Sequence, residues 1–440
     1  MKFNSINREI LALSIPSIIA NITTPLLGLV DVAIVGNMGS AVYIAAIAIG
    51  GTIFNMLYWP FAFLRMGSSG MTAQAFGAND SKQCSLVLYR SLLVAMTVGF
   101  AIIALQYLIA QFAFLFMDIS GDTLKYSQSY FNVCIWGAPA MLGSYALSGW
   151  FVGMQNSRAT MWISIFINLL NISTSLTLVY LFNMGITGVA IGTLTAQWGG
   201  FLLGLIIVWI KYTPKHYSLQ SILNRNELKR FFSINSDIFL RTLCLVTVTL
   251  WFTRAGAQQS DIILAVNTLL MQLFILFSYF MDGFAYAGEA LAGKYIGAKQ
   301  PQQLKACIKS LFHWGIAMAI LFTLIYLIGG ESFLALLSSD VNVVNASSTY
   351  FPWAIAIPLC GFAAFTWDGI FIGATRTRAM LMSMATAMVC FFVIYFTLYP
   401  TMANHALWLA FISYLVIRGI VLYIIYLKKP LLTLIGNNEL

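Results

Sequence analysis

Charge is scarce in this sequence. Of its 440 residues only 8% are Asp, Glu, Lys or Arg, while 60% are hydrophobic. A soluble domain carries about a quarter charged residues, so a water-soluble enzyme or signalling domain is excluded. Acids are the rarer sign, 14 against 23 bases. The bases fall in alternate short loops instead of one patch, so no nucleic-acid partner is expected. Only His216, His313 and His405 supply imidazole, without ligand-spaced partners, and no metal site is expected. The phosphate-loop and dinucleotide glycine patterns are missing, which argues against an ATP-driven pump unless another subunit supplies the motor. The six cysteines (Cys84, Cys134, Cys244, Cys307, Cys360, Cys390) are scattered through apolar stretches. They read as packing residues without disulfides. No nucleophile–base pair marks an enzyme, and no cofactor is expected.

What fills the chain is apolar runs. At about 20 residues per crossing, its length accommodates twelve spans and little else. Breaks in hydropathy place them near 10–36, 43–72, 86–113, 124–154, 159–182 and 186–211, then 231–254, 262–298, 306–329, 347–375, 379–400 and 404–427. The first run continues past Pro16 to Asp31, too long for a signal-peptide core. The loops on one side hold most of the Lys and Arg, whereas the other side holds only Lys125 and Arg254. The positive-inside rule then puts both termini in the cytoplasm. The expected organisation is a six-helix lobe over 1–211, a cytoplasmic connector over 212–230 and a second six-helix lobe over 231–440.

The halves repeat at an offset of 220. Gly149-Trp-Phe-Val-Gly153 with Arg158-Ala159 recurs as Gly369-Ile-Phe-Ile-Gly373 with Arg378-Ala379, and Gly77-Ala78 recurs as Gly297-Ala298. An even number of spans per half makes the repeats parallel, related by a pseudo-two-fold axis along the membrane normal. Such repeats typify alternating-access transporters with a central site. The expected fold is therefore an all-α integral membrane protein of 12 transmembrane helices in two six-helix bundles.

An ionised Asp at a helix centre costs about 2.5–3.5 kcal/mol on insertion scales, so intramembrane polar groups mark a cavity or a partner. Asp31 is the only acid in the spans of the first half, on a helix face with Asn21, Thr24 and Gly28. Ser164, Asn168, Asn171 and Ser175 form one stripe on the fifth span, and Thr193 lies on the sixth. At 1.5 Å per residue, Asp31 sits about 7 Å, and Ser175 and Thr193 about 10 Å, from the outer ends of their helices. Three helices thus put polar groups at one level, consistent with a hydrated pocket. Removal from water favours the uncharged acid, so Asp31 there could load and release a proton. The plainer reading is a helix-packing hydrogen bond, and for the Asn/Ser stripe both readings stand equal. Pro16 breaks one backbone hydrogen bond and permits a bend in the first helix.

The second half mixes signs. Asp237 and Arg241 are four apart, as an ion pair would be. Asp282, Tyr286 and Glu289 follow one face, Lys294 continues inward, and Asp368 lies late in the tenth span. Mixed charges at one depth favour a neutralising structural or gating network, with a direct part in coupling as the alternative.

Pro25-Leu-Leu-Gly-Leu-Val-Asp31, Phe63-Leu-Arg-Met-Gly67 with Ala73-Gln-Ala-Phe-Gly77, Asp237-Ile-Phe-Leu-Arg241, Asp282-Gly-Phe-Ala-Tyr286 with Glu289, and Asp368-Gly-Ile-Phe-Ile-Gly-Ala374 with Arg376 and Arg378 resemble the multidrug and toxic compound extrusion (MATE) family. Within it they resemble the DNA-damage-inducible (DinF-type) branch. The resemblance implies two bundles forming a V, and export of amphipathic or cationic organic compounds in exchange for protons or sodium ions. It also implies a multi-pass monomer in the bacterial inner membrane. Asp31 matches the family's first-helix acid, Asn171 its fifth-helix asparagine, Thr193 its sixth-helix threonine and Pro16 its bending proline. Ser175 stands where many relatives carry an aspartate. A tight sodium site wants more carboxylate oxygens, so protons are the expected coupling ion. The alternative class is a flippase for lipid-linked saccharides or lipids, which the lack of Lys and Arg in the first-lobe pocket disfavours.

Overall fold

A computed structural model describes residues 3–36, 41–117, 119, 121–214, 217–337 and 341–431. In order, the α-helices are α1 (Phe3–Gly36), α2 (Ala41–Tyr58), α3 (Phe63–Gly77), α4 (Ser81–Ala104), α5 (Gln106–Met117), α6 (Gly121–Cys134), α7 (Ala138–Gly153) and α8 (Ser157–Leu176). They continue as α9 (Gly185–Tyr212), α10 (Leu219–Ile222), α11 (Arg225–Ala257), α12 (Asp261–Gly297), α13 (Pro301–Leu337), α14 (Val341–Gly373), α15 (Thr377–Met402) and α16 (Asn404–Lys428). Among the described residues there are no strands, and eleven helical segments are long and apolar enough to cross a bilayer.

The fourth expected span is the exception, and its sequence explains why. Pro139 has no N–H to give Ile135, so the helix breaks into a 3-10 turn over Ile135–Gly137. The first piece, α6, is also rich in hydroxyl and carboxamide side chains. The crossing is therefore two short helices, α6 and α7. The expected connector contains the short helix α10 and the start of α11. Asn224 accepts from the N–H groups of Asn226 and Glu227 at 3.1 and 3.3 Å, so α11 starts at Arg225. Buried Arg90 of α4 holds this stretch, donating to the carbonyls of Ile222 and Ser221 at 2.9 and 3.0 Å and to Glu227 at 3.3 Å.

Contacts divide the chain into two compact units. One comprises Ile19–Phe76 and Asp80–Phe231, the other Met1–Ile18, Gly77–Asn79 and Phe232–Leu440. The division falls within α1, two residues after buried Pro16, and within α11. The start of α1 packs in the C-terminal unit: Glu9 pairs with Lys294 at 2.7 Å, Trp314 donates to Asn7 at 3.2 Å, and Gly283 lies against Ser14 and Ile18. The N-terminal unit is built around Phe54, Phe131, Ile135 and Leu142. The C-terminal unit has an aromatic core of Phe277, Phe322, Phe391, Trp408 and Phe411.

The repeat is visible in the packing of each unit. Gly149 lies on the backbone of Arg65 and Gly153 on that of Ser69 and Ala73. Gly369 lies on Ala285, and Gly373 on Glu289 and Gly293, the same crossings 220 residues on. Left-handed turn residues repeat likewise, as Asn79 and Lys299, Gln155 and Thr375, and Asn183 and Ala403. Small residues let these helices approach backbone to backbone. A methyl at Gly369 would meet the Ala285 carbonyl, which cannot move aside. Gly369→Ala is therefore expected to destabilise the protein by about 1–3 kcal/mol, read as a lower unfolding temperature in detergent. The same loss is expected for Gly149→Ala.

Candidate functional site

In the N-terminal unit, α1, α8 and α9 bring three predicted residues together. Thr193 Oγ1 donates to Asp31 Oδ2 at 3.2 Å, and Asn171 Nδ2 donates to Thr193 Oγ1 at 3.1 Å. All three are buried, Asp31 at 3% exposure and Asn171 at 0%. Among the described residues no ion pair engages Asp31. A buried carboxylate with neutral donors and no cation is costly, and the chain of donors runs one way, towards it. Asp31 Oδ1, Asn171 Oδ1 and Ser175 Oγ are buried without partners. Each such orphan costs about 1–3 kcal/mol, so the cluster is not optimised for stability alone.

The α8 stripe divides by depth. Ser164 bonds to Thr23 at 2.7 Å and to the Ala20 carbonyl at 3.3 Å, fixing the α1–α8 crossing. Asn168 donates to the Ser164 carbonyl at 2.9 Å and leaves its own oxygen unpartnered. Ser175 packs against the backbone of Gly192, beside Thr193. The side chain of Thr24 lies outside the described residues, as does His216. Two neighbours were not expected. Tyr130 of α6 lies against Thr193, Cys134 and Asp31, with its ring over Gly50. Cys134, one turn on, donates to the Ala190 carbonyl at 3.6 Å. Their four-residue spacing was the available signal.

In the C-terminal unit Asp368 is the hub. Its Oδ2 accepts from Arg241 of α11 and, at 2.6 Å, from Arg418 of α16. All three are at most 7% exposed. Arg241 thus turns to Asp368 instead of Asp237, four residues before it. Asp368 is buried with Arg241 whereas Asp237 is half-buried, so the charge pair is stronger there, and Asp237 accepts from Thr377 at 2.9 Å. Asp282 is close enough to Arg418 to act on it electrostatically. Tyr286 is half-buried, and Glu289 is buried where its carbonyl supports Gly373. Lys294 pairs with Glu9, which also accepts from Tyr295 at 3.2 Å. Glu9 and Arg418 were the members the sequence reading left out.

A family model described as MatE matches residues 16–177 and 237–397. DNA damage-inducible protein F of Escherichia coli (strain K12) is 36% identical over 416 residues, covering 94% of this chain and 90% of that protein. A probable multidrug resistance protein NorM of Idiomarina loihiensis is 22% identical over 380 residues, 82% of this chain and 78% of that one. The solved Vibrio cholerae MATE transporter VcmN, in its bent form, superposes with a TM-score of 0.89 over 99% of this chain and 98% of that one, at 14% identity.

Proposed function

This chain belongs to the MatE family of multidrug and toxic compound transporters, and on that premise we propose that it exports amphipathic or cationic organic molecules in exchange for protons, across a bacterial inner membrane. It is a multi-pass membrane transporter and not an enzyme. The observation that carries the coupling reading is the buried, cation-free carboxyl of Asp31 at the end of the Asn171–Thr193 donor chain.

In the ionised state Asn171 donates to Thr193, and Thr193 donates to the carboxylate. Protonation removes the charge and adds one donor to a cluster in which Asn171 Oδ1 and Ser175 Oγ lack partners, so the hydrogen bonds can re-pair around the neutral acid. Because the three residues sit on α1, α8 and α9, re-pairing biases how those helices pack. Pro16, in the first of them, leaves the Ala12 carbonyl without its helical donor, where bending is cheapest. In this scheme Asn168 and Ser175 line the same polar face. Asp237, Arg241, Asp282, Tyr286, Glu289, Lys294 and Asp368 serve as structure, in separate pairings: Asp368 with Arg241 and Arg418, Lys294 with Glu9, and Asp237 with Thr377. Exchange of one proton for a monovalent cation is electroneutral, and each pH unit then supports about a tenfold substrate gradient. For a neutral substrate the membrane potential adds about 2.3 kcal/mol per 100 mV.

The test is transport by the protein in proteoliposomes, with pH and sodium gradients imposed separately and a panel of lipophilic cations and neutral amphiphiles offered. Export driven by the pH gradient alone is expected. Export that follows sodium at constant pH would overturn the proton assignment, and translocation of lipid in place of the panel would favour a flippase. Thr193→Val removes the hydroxyl from the donor chain while keeping its volume. A net hydrogen bond is worth about 0.5–1.5 kcal/mol, so pH-driven export by this variant is expected to fall by up to about tenfold, measured as initial rate.

A further inference from the structure

Away from the acid site, the C-terminal unit has a groove on its flank. Helices α13 and α16 both pack along α14 but scarcely against each other, leaving a slot of about 260 Å³ whose walls include Phe312, Tyr423 and Tyr426. Trp367 of α14 is its buried floor, with ring centroids 4.9 Å from both Phe312 and Tyr426. Lys309 and His313, both exposed, stand on the α13 side, and the His313 Nδ1 lies 2.7 Å from the Lys309 carbonyl. Among the described residues no acid lines the groove and no ion pair engages Lys309.

Position along the helices sets the depth. Trp367 is about 9 Å from the end of α14, Lys309 about 12 Å from the start of α13, and Tyr426 about 3 Å from the end of α16. These are the helix ends at which Lys299, Lys305, Arg376, Arg378 and Lys428 gather. The groove is thus aromatic within, and the long stem of Lys309, whose side chain leans towards the start of α13, can carry its ammonium to the mouth, where indole and phenol rings prefer the interface.

We propose that this groove binds one anionic phospholipid, its phosphate at the Lys309 ammonium and one acyl chain laid over Trp367. A lipid-facing slot in a bilayer is filled by lipid, and apolar aromatic walls ask nothing of an acyl chain but contact. A cation at the mouth, with no carboxylate beside it among the described residues, selects a negative headgroup over a zwitterionic one. Basic pockets between helices at the cytoplasmic face are recognised sites for such headgroups. The same ammonium disfavours a lipophilic cation, so this is not a second substrate site. The assignment is independent of how export is coupled.

Native mass spectrometry of the full-length protein, delipidated and titrated with phosphatidylglycerol or phosphatidylcholine, tests it. One phosphatidylglycerol is expected to bind in preference to phosphatidylcholine. Lys309→Gln is expected to weaken it about fivefold, from about 1 kcal/mol per basic residue near the headgroups. Tyr423→Ser, at a half-exposed wall position, is expected to weaken both lipids, and Lys82→Gln in the other unit neither. Unfolding temperatures confirm that the variants are folded. Equal affinity for the two lipids, or phosphatidylglycerol binding unchanged in Lys309→Gln, overturns the site. Displacement of bound phosphatidylglycerol by a lipophilic cation would assign the groove to substrate instead.

Discussion

Asp31→Asn is expected to reduce pH-driven export to the passive level while the protein still folds and inserts. The two side chains have nearly the same shape, and asparagine is the cheaper group to bury, because no charge leaves water. Its carbonyl oxygen can still accept from Thr193, so the α1–α9 contact survives. What disappears is the carboxyl that exchanges a proton in this scheme. A ligand shifts an equilibrium only by its differential affinity for the two states. With no proton bound in either state, the pH gradient has nothing to act on. Counterflow, in which labelled substrate exchanges against unlabelled substrate, does not need the gradient and separates the two kinds of loss. Retained counterflow with abolished accumulation is the expected pattern. Asp31→Glu, which keeps the acid on a longer stem, should keep some accumulation. Full pH-driven accumulation by Asp31→Asn would remove this residue from coupling altogether.

The site was legible from sequence because it breaks a rule that the rest of the chain obeys. Polar side chains on apolar helices are conspicuous, and rise per residue turns position into depth, so Asp31, Ser175 and Thr193 could be placed at one level before any contact was known, while Asn171 was visible as part of the stripe it shares with Ser175. The repeat was legible for a related reason. Gly149 and Gly369 are needed where one backbone meets another, and such positions tolerate little change. Pairings between distant helices were not legible. Periodicity reports which face a residue occupies but not who stands opposite. The four-residue interval between Asp237 and Arg241 therefore suggested a local pair, while the fold offered Arg241 a better partner 127 positions away in Asp368. Glu9, in the first turns of α1, gave no sign that it would meet Lys294. The split fourth crossing was not read from sequence, although Pro139 marks it, because hydropathy averaged over a window conceals a break of three residues.

Asp368→Asn is expected to cause the largest loss of stability of any single change in the C-terminal network, about 3–5 kcal/mol. The reasoning is electrostatic. Arg241 and Arg418 are both buried and both donate to one oxygen of this carboxylate. Removing its charge leaves two guanidiniums facing each other in a poor solvent, with the Nε of Arg241 already unpartnered. Asp282 can offset part of that charge but reaches Arg418 only at longer range. Detergent unfolding should show the loss directly. A second substitution distinguishes a network from a simple hole: Arg418→Met in the Asp368→Asn background removes one of the stranded cations, and should recover part of the lost stability. The double variant is then more stable than the single, a coupling expected only between groups that touch. Transport is the other half of the test. If Asp368→Asn unfolds at the native temperature yet no longer exports, Asp368 takes part in coupling, and the structural reading of this network fails.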